Sequence, residues 1–283
     1  TQHTNIVGLV MANITSPFYP YVLEKFTERL RQAGKQVLLF TAAPEQDVDD
    51  ILPLVLQYRV DALIITSTTL SSAMADECSR NGTPVILFNR YVRNFSAWAV
   101  CCDNLAGGRL AADLLLDAGH LRPAFVAGIT KTSTNRDREE GFFARLAERG
   151  LAEQLRSQGA YTYESGYHAA QELLAAATPP DALFCANDIM ALGALDCARD
   201  LGLSIPGDLS VIGFDDVPMA AWSAYRLTTI RQPVNRMIDA AMQLLESLLQ
   251  DNLQPAGIRL LPGDLIVRQS ARLPAYMATK KDN

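Results

Sequence analysis

The sequence predicts an α/β fold of two lobes, each a doubly wound parallel sheet wrapped by helices. Short apolar runs alternate with longer amphipathic runs along almost the whole chain, which is the pattern of repeated strand–helix units. The alternation occurs as two successive series, and 283 residues are enough for two separate cores. A single eight-fold barrel stays possible on the number of units alone.

The first series of elements covers residues 5–102. Pro20 suits the first turn of a helix and Gly34 suits the exit from it. The predicted strands are 5–11, 36–41, 62–66, 84–88 and 97–102. The predicted helices are 20–33, 47–57 and 72–81.

The second series repeats this rhythm in residues 105–214. Its predicted strands are 124–127, 182–185 and 210–214, and its predicted helices are 105–117, 138–149, 167–176 and 189–201. An extended segment at 227–232, a helix at 234–250 and extended segments at 257–261 and 264–271 follow.

Composition excludes several classes of partner. Hydrophobic residues make up 49% and charged residues 20% of the chain, an ordinary balance for a globular domain. A net charge of −6 disfavours nucleic-acid binding by these residues, because attraction to phosphate supplies most of such binding. The opening TQHTNIVGLV is no secretory signal, and no apolar run approaches the ~20 residues of a membrane span, so we expect no membrane partner.

The residues that could carry catalysis or metal binding lack the necessary spacing. The five cysteines stand in apolar surroundings at no metal-ligand spacing, which indicates reduced thiols in a cytoplasmic protein. No phosphate-binding glycine loop, nucleophile elbow or Cys/His cluster is present, and the histidines lie far apart. We therefore expect no enzyme activity, no cofactor and no metal.

Polar residues follow several predicted strands. Asn187 comes after the strand 182–185, and Asp215 and Asp216 come after 210–214. Ligands of open α/β sheets are held just past the carboxyl ends of the strands, so these positions form a candidate binding rim. Asn187 also suits the cap of the following helix.

Short motifs along nearly the whole chain resemble the lactose-repressor/galactose-repressor (LacI/GalR) family of bacterial regulators, specifically their effector-sensing core. The motifs stand in the family's order: Ser16-Pro17-Phe18-Tyr19, Arg59-Val60-Asp61, Pro84-Val85 through Asn89-Arg90, Asp103-Asn104, Gly119-His120, Arg136 through Gly141-Phe142, Ala186-Asn187-Asp188, Gly213-Phe214-Asp215-Asp216, Leu227-Thr228-Thr229 and Val267-Arg268-Gln269-Ser270. The last motif resembles the repressor branch rather than the extracytoplasmic sugar-binding proteins of the same fold.

The resemblance implies a type I periplasmic-binding-protein-like fold with a ligand cleft between the lobes. It divides the chain into a first lobe of residues 1–102 plus 232–260 and a second of 103–230 plus 262–276, with a disordered tail at 277–283. It also implies a homodimer, for which the helices 72–81 and 189–201 offer small or apolar residues: Ala73, Met74, Met190, Ala191, Ala194 and Leu195. The alternative, which is expected to hold for at least half of these residues, is that they face their own sheets. Operator DNA would be bound only through an N-terminal helix-turn-helix, for which residues 1–15 provide no recognition helix.

Candidate ligand contacts in the first lobe are Phe18, Tyr19 and Asn89. The two rings could stack on a sugar or base, or else pack at the start of the helix after Pro20. Asn89 offers both a donor and an acceptor to hydroxyl groups. Relatives often carry a charged aspartate at this position, whereas the anchor in this chain is neutral. Its alternative role is that of a turn residue.

Candidate contacts in the second lobe are Thr134, Arg138, Tyr163, Asn187 and Asp215. Thr134 and Arg138 lie in a polar loop that opens a helix, and a guanidinium group presents a planar fork of donors. The sequence alone does not distinguish Arg138 from Arg136; the resemblance singles out Arg138. Tyr161 and Tyr163 follow a strand-like stretch, and Tyr163 is favoured as an aromatic platform, with an exposed loop tyrosine as the alternative.

Asp215 is expected to bind the ligand directly, because an ionised carboxylate accepts from two hydroxyls at once. Asp188 and Asp216 are expected to be structural, and Trp98 and Trp222 to be half-buried packing residues. The predicted function is the sensing of a small effector, a sugar or sugar derivative, that controls DNA binding by the N-terminal head. The alternative is an extracytoplasmic sugar-binding protein of a transporter; acid, amine, phosphate and plain sugar effectors all stay open.

Overall fold

The structure, a computed structural model, describes residues 4–12, 16–42, 48–66, 77–78, 80–92, 97–250 and 255–278. The chain divides into two compact units, one of Thr1–Cys102 with Pro233–Leu261 and one of Asp103–Gln232 with Pro262–Asn283. Each unit contains one six-stranded sheet in its described residues. Two separate sheets confirm the predicted α/β class and exclude the single barrel.

The sheet of the first unit is parallel throughout its described strands and has the order β11-β5-β4-β3-β1-β2. The strands are β1 Ile6–Ala12, β2 Gln36–Ala42, β3 Ala62–Ile65, β4 Val85–Phe88, β5 Trp98–Cys102 and β11 Ile258–Leu261, and the helices are α1 Phe18–Gln32, α2 Leu52–Gln57 and α7 Val234–Leu249. Strand β1 lies between β2 on one side and β3 on the other, and the strands that follow β3 continue on the β3 side. The order of the strands therefore reverses at β1, and ligands usually bind at the carboxyl end of such a switch strand.

The sheet of the second unit has the order β12-β10-β9-β8-β6-β7, with only β12 antiparallel to its neighbour among these strands. The strands are β6 Pro123–Ala127, β7 Leu155–Gln158, β8 Ala182–Cys185, β9 Ser210–Asp215, β10 Thr228–Arg231 and β12 Asp264–Ile266, and the helices are α3 Asn104–Asp117, α4 Ser133–Glu148, α5 Tyr163–Leu174, α6 Asp188–Asp200 and α8 Ala275–Ala278. Here β6 is the switch strand, and β6, β8, β9 and β10 all end at one edge, the carboxyl edge of the second sheet.

The central strands of both sheets are continuous apolar runs because both faces of these sheets are covered. All residues of β3, β4, β6 and β8 are buried. Strands of a parallel sheet read as unbroken hydrophobic stretches for this reason. The edge strand β7 has the polar sequence LRSQ, so the sequence pattern indicates only a strand-like stretch there.

Two helices begin earlier than predicted because polar caps open them. Thr132 accepts a hydrogen bond from the N–H of Asn135, so α4 starts at Ser133 rather than at residue 138. Thr162 and Ser165 form a reciprocal capping box, so α5 starts at Tyr163 rather than at residue 167.

The predicted dimer seam on the helix 189–201 is wrong. Met190, Ala191, Ala194 and Leu195 are fully buried within the chain, so they offer no surface to a partner. Close approach of α5 explains the burial, since a Cβ at Gly166 would lie 2.3 Å from the carbonyl oxygen of Met190. Ala73 and Met74, on the other half of that seam, lie outside the described residues.

Other expectations have mixed outcomes. All five cysteines are buried thiols, as expected of cysteines that pack as small hydrophobes. Trp98 is half-buried, as expected. The same prediction for Trp222 is wrong, because this residue is 57% exposed. Residues 279–283 of the predicted tail, and most of the predicted helix 72–81, lie outside the described residues. Within the part that is described, no helix is long and apolar enough to cross a membrane.

Candidate functional site at the carboxyl edge of the second sheet

Arg138 occupies the centre of this edge. It lies in the second turn of α4 and is only 2% exposed. Its Nε donates to Asn104 Oδ1 over 2.8 Å, its Nη1 donates to the carbonyl oxygen of Ala186, and its Nη2 lies 3.5 Å from Asp215 Oδ1. The guanidinium carbon lies 3.6 Å from the centre of the Phe214 ring. The fork is therefore held in one position by four residues from three parts of the unit: the start of α3, the segment after β8, and β9.

Glycines between α3 and α4 allow this placement. A Cβ at Gly108 would lie 2.2 Å from the carbonyl oxygen of Arg138, and one at Gly141 would lie 2.1 Å from that of Leu105. Both distances are far below van der Waals contact, so only glycine lets the two helix backbones approach this closely. The approach brings Asn104, at the start of α3, within hydrogen-bond distance of Arg138.

Asp215 and Asp216 form an unusual turn at the end of β9. Their φ angles are +117° and +57°, in the region that side-chain-bearing residues avoid at a cost of ~1–3 kcal/mol each. Asp215 Oδ1 accepts from Gln232 Nε2 over 2.7 Å and faces Arg138. The structure thus brings together two residues singled out from the sequence, Arg138 and Asp215.

Gln232 is a candidate site residue that the sequence analysis missed. It follows β10 at the same edge and is 3% exposed. Its Nε2 binds Asp215, whereas its Oε1 is buried and has no hydrogen-bond partner among the described residues. A buried acceptor without a donor costs free energy, so this oxygen indicates a place for a donor from a ligand. The available signal was its position as the last residue of the predicted extended segment 227–232.

Asp188 lies below this edge and is completely buried. Its Oδ1 accepts from the Thr229 hydroxyl and its Oδ2 accepts from the Val217 N–H over 2.8 Å, so both of these donors are uncharged. Burial, followed by repulsion from Asp215, raises the pKa of the Asp188 carboxyl to about 7. A Cβ at position 213 would lie 2.1 Å from Asp188 Oδ1, which explains the glycine there. This environment agrees with the structural role expected for Asp188.

Asn187 is the cap of α6. Its Oδ1 accepts from the backbone N–H of Met190 over 3.0 Å, which confirms the capping role. Capping employs only the side-chain oxygen, and an asparagine amide also carries two donors. A ligand contact through that amide stays a prediction.

Thr134 joins a small hydroxyl cluster with Tyr161 rather than with Tyr163. The Tyr161 hydroxyl lies 3.1 Å from Thr134 Oγ1 and 3.0 Å from Thr132 Oγ1. The Tyr161 ring fills the space beside Gly128, where a Cβ would come within 2.3 Å of it. Tyr161 adopts a φ of +64°, a backbone conformation that no sequence pattern indicates for tyrosine.

Tyr163 is half-buried at the start of α5, and its hydroxyl donates to Asp196 Oδ2 over 2.8 Å. Burial and this hydrogen bond raise the pKa of the Tyr163 phenol. Of the two tyrosines, Tyr161 is therefore the one that contacts Thr134, in the first turn of α4.

The candidates of the first unit lie at the ends of β1 and β4. Phe18 and Tyr19 open α1, are 5% and 6% exposed, and meet edge-to-face with ring centres 5.4 Å apart, which is the packing role considered for them. Asn89 has a φ of +69°, as a turn residue would, and is 4% exposed. Its Oδ1 is buried and has no partner among the described residues, so Asn89, like Gln232, leaves an acceptor to be satisfied.

No group of three His, Cys, Asp or Glu residues that could hold a metal occurs in the described part of the chain. The carboxyl edge of the second sheet thus presents the acceptors of Asp215 and Gln232 beside a fixed guanidinium, an arrangement suited to bind hydroxyl or amine donors.

Known proteins resemble this chain over most of its length. Residues 112–271 match the family described as a periplasmic binding protein-like domain. The HTH-type transcriptional repressor CytR of Escherichia coli strain K12 is 31% identical over 274 residues, covering 96% of this chain and 80% of that protein.

Two solved structures with bound sugars are also similar. The transcriptional regulator CelR–cellobiose complex superposes with a TM-score of 0.88 at 27% identity and covers 96% of this chain and 86% of that one. A LacI family transcriptional regulator from Enterococcus faecium with bound ribose has a TM-score of 0.85 at 26% identity, over 95% of this chain and 99% of that one.

Proposed function

This chain belongs to the LacI/GalR family of transcriptional regulators and is an effector-binding core of that family, and on this premise we propose that the carboxyl edge of the second sheet binds its effector. Asp215 and Gln232 would accept hydrogen bonds from the effector, and Arg138 would hold Asp215 in place. The alternative of an extracytoplasmic binding protein is not favoured, since similar proteins are transcriptional regulators. A regulator of transcription acts where the DNA is, so we propose a cytoplasmic location.

The chemistry of the effector is proposed to be that of a neutral, hydroxyl-rich molecule such as a sugar or nucleoside. The observation that carries this proposal is the buried Oε1 of Gln232, which lies beside the Asp215 carboxylate and has no hydrogen-bond partner in the part of the chain that the structure describes. Both groups accept hydrogen bonds. A phosphate or carboxylate would place acceptor against acceptor.

Arg138 gives an independent argument against an anionic effector. Its donors are directed at Asn104, Ala186 and Asp215, and its face is covered by Phe214. An anion would have to displace these partners before it could use the guanidinium fork. Among similar proteins, one carries cellobiose and another ribose, both neutral and rich in hydroxyls.

In the whole regulator, effector binding would control operator binding through an N-terminal helix-turn-helix head, as the name of the similar CytR repressor suggests. Such control requires that the effector bind one state of the regulator more tightly than the other. We further propose a homodimer, since operators are commonly read by two-fold symmetric dimers.

Matched pairs of neutral and anionic ligands test the proposed effector class. Thermal unfolding is measured with D-ribose against D-ribose 5-phosphate, D-glucose against D-gluconate, and with cellobiose and adenosine. A ligand present at a hundredfold excess over its Kd stabilises the folded state by about 2.7 kcal/mol, which is readily measured. We expect a neutral member to stabilise the chain and its anionic counterpart to have little effect. Stabilisation by an anionic member alone would contradict the proposal.

Variants then locate the binding site. Asp215→Asn and Gln232→Leu are each expected to raise the Kd of the stabilising ligand about tenfold. A hydrogen bond to the charged Asp215 contributes ~1.5–3 kcal/mol, and removal of the neutral Gln232 acceptor leaves a ligand donor unsatisfied at a cost of ~1–3 kcal/mol. Asp264→Asn, the same change at an exposed aspartate of the second unit, is the matched control and should leave the Kd unchanged. Equal affinities for Asp215→Asn and Asp264→Asn would show that the ligand binds elsewhere.

A further inference from the structure

We propose that Arg268 and Arg231 form a clamp on Asp216 that positions Asp215 for effector binding, an inference that rests on the proposed function of this edge. The clamp is defined by these two arginines and the carboxylate between them. Arg268 Nη2 lies 2.6 Å from Asp216 Oδ1, and Arg231 Nε lies 2.7 Å from Asp216 Oδ2. Each carboxylate oxygen thus has its own cation.

The clamp is partly removed from water. The side chains of Asp216 and Arg268 are 7% and 17% exposed, whereas that of Arg231 is 52% exposed. Water screens an exposed ion pair but screens a partly buried one much less. The contact with Arg268 is therefore the stronger half of the clamp, and the contact with Arg231 closes it from the solvent side.

Arg268 is itself fixed by the strands that surround it. Its Nη1 donates to the carbonyl oxygen of Leu227 over 2.7 Å, and its backbone N–H donates to Thr228 Oγ1 over 3.0 Å. Two residues later, Ser270 Oγ accepts from the N–H of Thr228 and donates to the carbonyl oxygen of Val211. The segment around Arg268 is thereby attached to both β9 and β10, so its guanidinium is a fixed anchor for Asp216.

The backbone between β9 and the next turn needs such an anchor. Asp215 and Asp216 both have positive φ angles, which residues with side chains adopt only where their surroundings hold them. The clamp holds Asp216, and the carboxylate of Asp188 holds the N–H of Val217. Together they fix the peptide groups on the C-terminal side of Asp215, and this directs the Asp215 carboxylate toward Gln232 and Arg138. Arg268 and Arg231 are thus positioning residues that need not touch the effector.

Hydrogen exchange combined with binding tests the clamp. The variants are Arg268→Met and Arg231→Met, and Arg272→Met is the matched control. Arg272 belongs to the same C-terminal segment, but its side chain contacts His120 and not Asp216. Amide exchange of residues 214–217 is followed by mass spectrometry, and the affinities for D-ribose and cellobiose are measured by calorimetry.

We expect amide exchange at Asp215–Val217 to be about tenfold faster in Arg268→Met than in Arg272→Met. Without Arg268, local opening of this turn no longer requires that the ion pair with Asp216 be broken, so the open state is more populated. Arg231→Met should act in the same direction with a smaller effect, and it remains informative if Arg268→Met does not fold. The Kd of whichever sugar binds the unsubstituted chain should rise by about tenfold in Arg268→Met. Arg268→Lys, which keeps one cation at Asp216, should restore part of both losses.

Exchange at Asp215–Val217 that is equal in the Arg268→Met, Arg231→Met and Arg272→Met variants overturns the clamp, whether or not a sugar binds. Faster exchange with an unchanged Kd overturns its positioning role. If neither sugar binds the unsubstituted chain, the proposed effector class loses its support, while the exchange data still decide whether the clamp holds the turn.

Discussion

Three aspartates at the carboxyl edge of the second sheet differ in the partners that face their carboxyl groups. Asp216 lies between two arginines, Asp215 faces Arg138 and the Gln232 amide, and Asp188 accepts from a hydroxyl and a backbone N–H. Asp188 is also the most deeply buried of the three. Its charge is therefore the most costly, which explains why its pKa is raised to about 7.

This pKa has a consequence for stability. A carboxyl whose pKa is about 7 when folded, against 3.8 for the ordinary group, binds more protons in the folded than in the unfolded state between those values. The contribution of Asp188 to stability is therefore greatest at low pH and falls as the pH rises through about 7. An asparagine in place of Asp188 would have no such proton to lose. Its amide could donate to the Thr229 hydroxyl while its oxygen accepts from the Val217 N–H.

We therefore expect Asp188→Asn to gain stability relative to the unsubstituted chain as the pH rises from about 5 to about 8. Urea unfolding at several pH values measures the difference. Asp61→Asn is the control. Burial raises the pKa of the Asp61 carboxyl, but hydrogen bonds from Thr4 and Asn5 outweigh this effect and the pKa is lowered overall. Asp61 therefore stays ionised throughout that pH range. If the Asp188→Asn and Asp61→Asn differences run parallel across the range, the assignment of the titration to Asp188 is wrong.

The residues of the site were predictable where their chemistry is visible in the sequence. Asp215 follows an apolar strand, and the resemblance to a family distinguished Arg138 from Arg136. Gln232 and Tyr161 were not predictable in the same way. The importance of Gln232 comes from a buried oxygen without a partner among the described residues, and that of Tyr161 from a positive φ that turns its ring toward Gly128 and Thr134.

At the scale of elements, the contact between α3 and α4 determines where Arg138 lies. Gly108 and Gly141 let the backbones of the two helices meet, and Arg138 and Asn104 join across the same contact. A side chain at either glycine would push against backbone atoms, which cannot rotate aside as a flexible side chain can. The packing of this helix pair and the geometry of the site are thus set by the same residues.

Gly108→Ala is expected to destabilise the folded state by about 2–4 kcal/mol, at the upper end of the cost of overpacking a core. It should also weaken effector binding, because relief of the clash moves Arg138. Gly257→Ala is the matched control: a Cβ there meets no atom within 4 Å, so the change should be nearly neutral. Denaturant unfolding gives both values, and equal midpoints for the two variants would contradict the close helix contact.

Sequence periodicity predicted most strands of the two sheets but not the starts of the second unit's helices. Buried parallel strands are continuous apolar runs, as in β3, β4, β6 and β8, and such runs stand out from their surroundings. The first turns of α4 and α5 contain polar residues that could equally form a loop. Their helical state depends on caps at Thr132 and Thr162, whose hydrogen bonds become evident only in three dimensions.

At the scale of the whole molecule, the proposed homodimer needs a surface other than the predicted seam, whose α6 residues are buried. Trp222, with 57% of its side chain exposed, is the candidate, because tryptophan is enriched among the residues that dominate protein interfaces. We expect sedimentation at about 10 μM to give a dimer that dissociates on dilution, and Trp222→Arg to shift the equilibrium toward monomer. A monomer throughout the dilution series would contradict the proposal.

The second unit is assembled from two stretches of chain, Asp103–Gln232 and Pro262–Asn283, with residues 233–261 belonging to the first unit. On a ribosome, the strands β6 to β10 and the Asp215–Asp216 turn emerge well before β12 and Arg268. Until then the turn lacks its partly buried arginine and β10 lacks its outer neighbour. A nascent chain should therefore be unable to bind effector until Arg268 has been synthesised, and messages cut short before the codon for Arg268 should yield proteins that do not respond to effector.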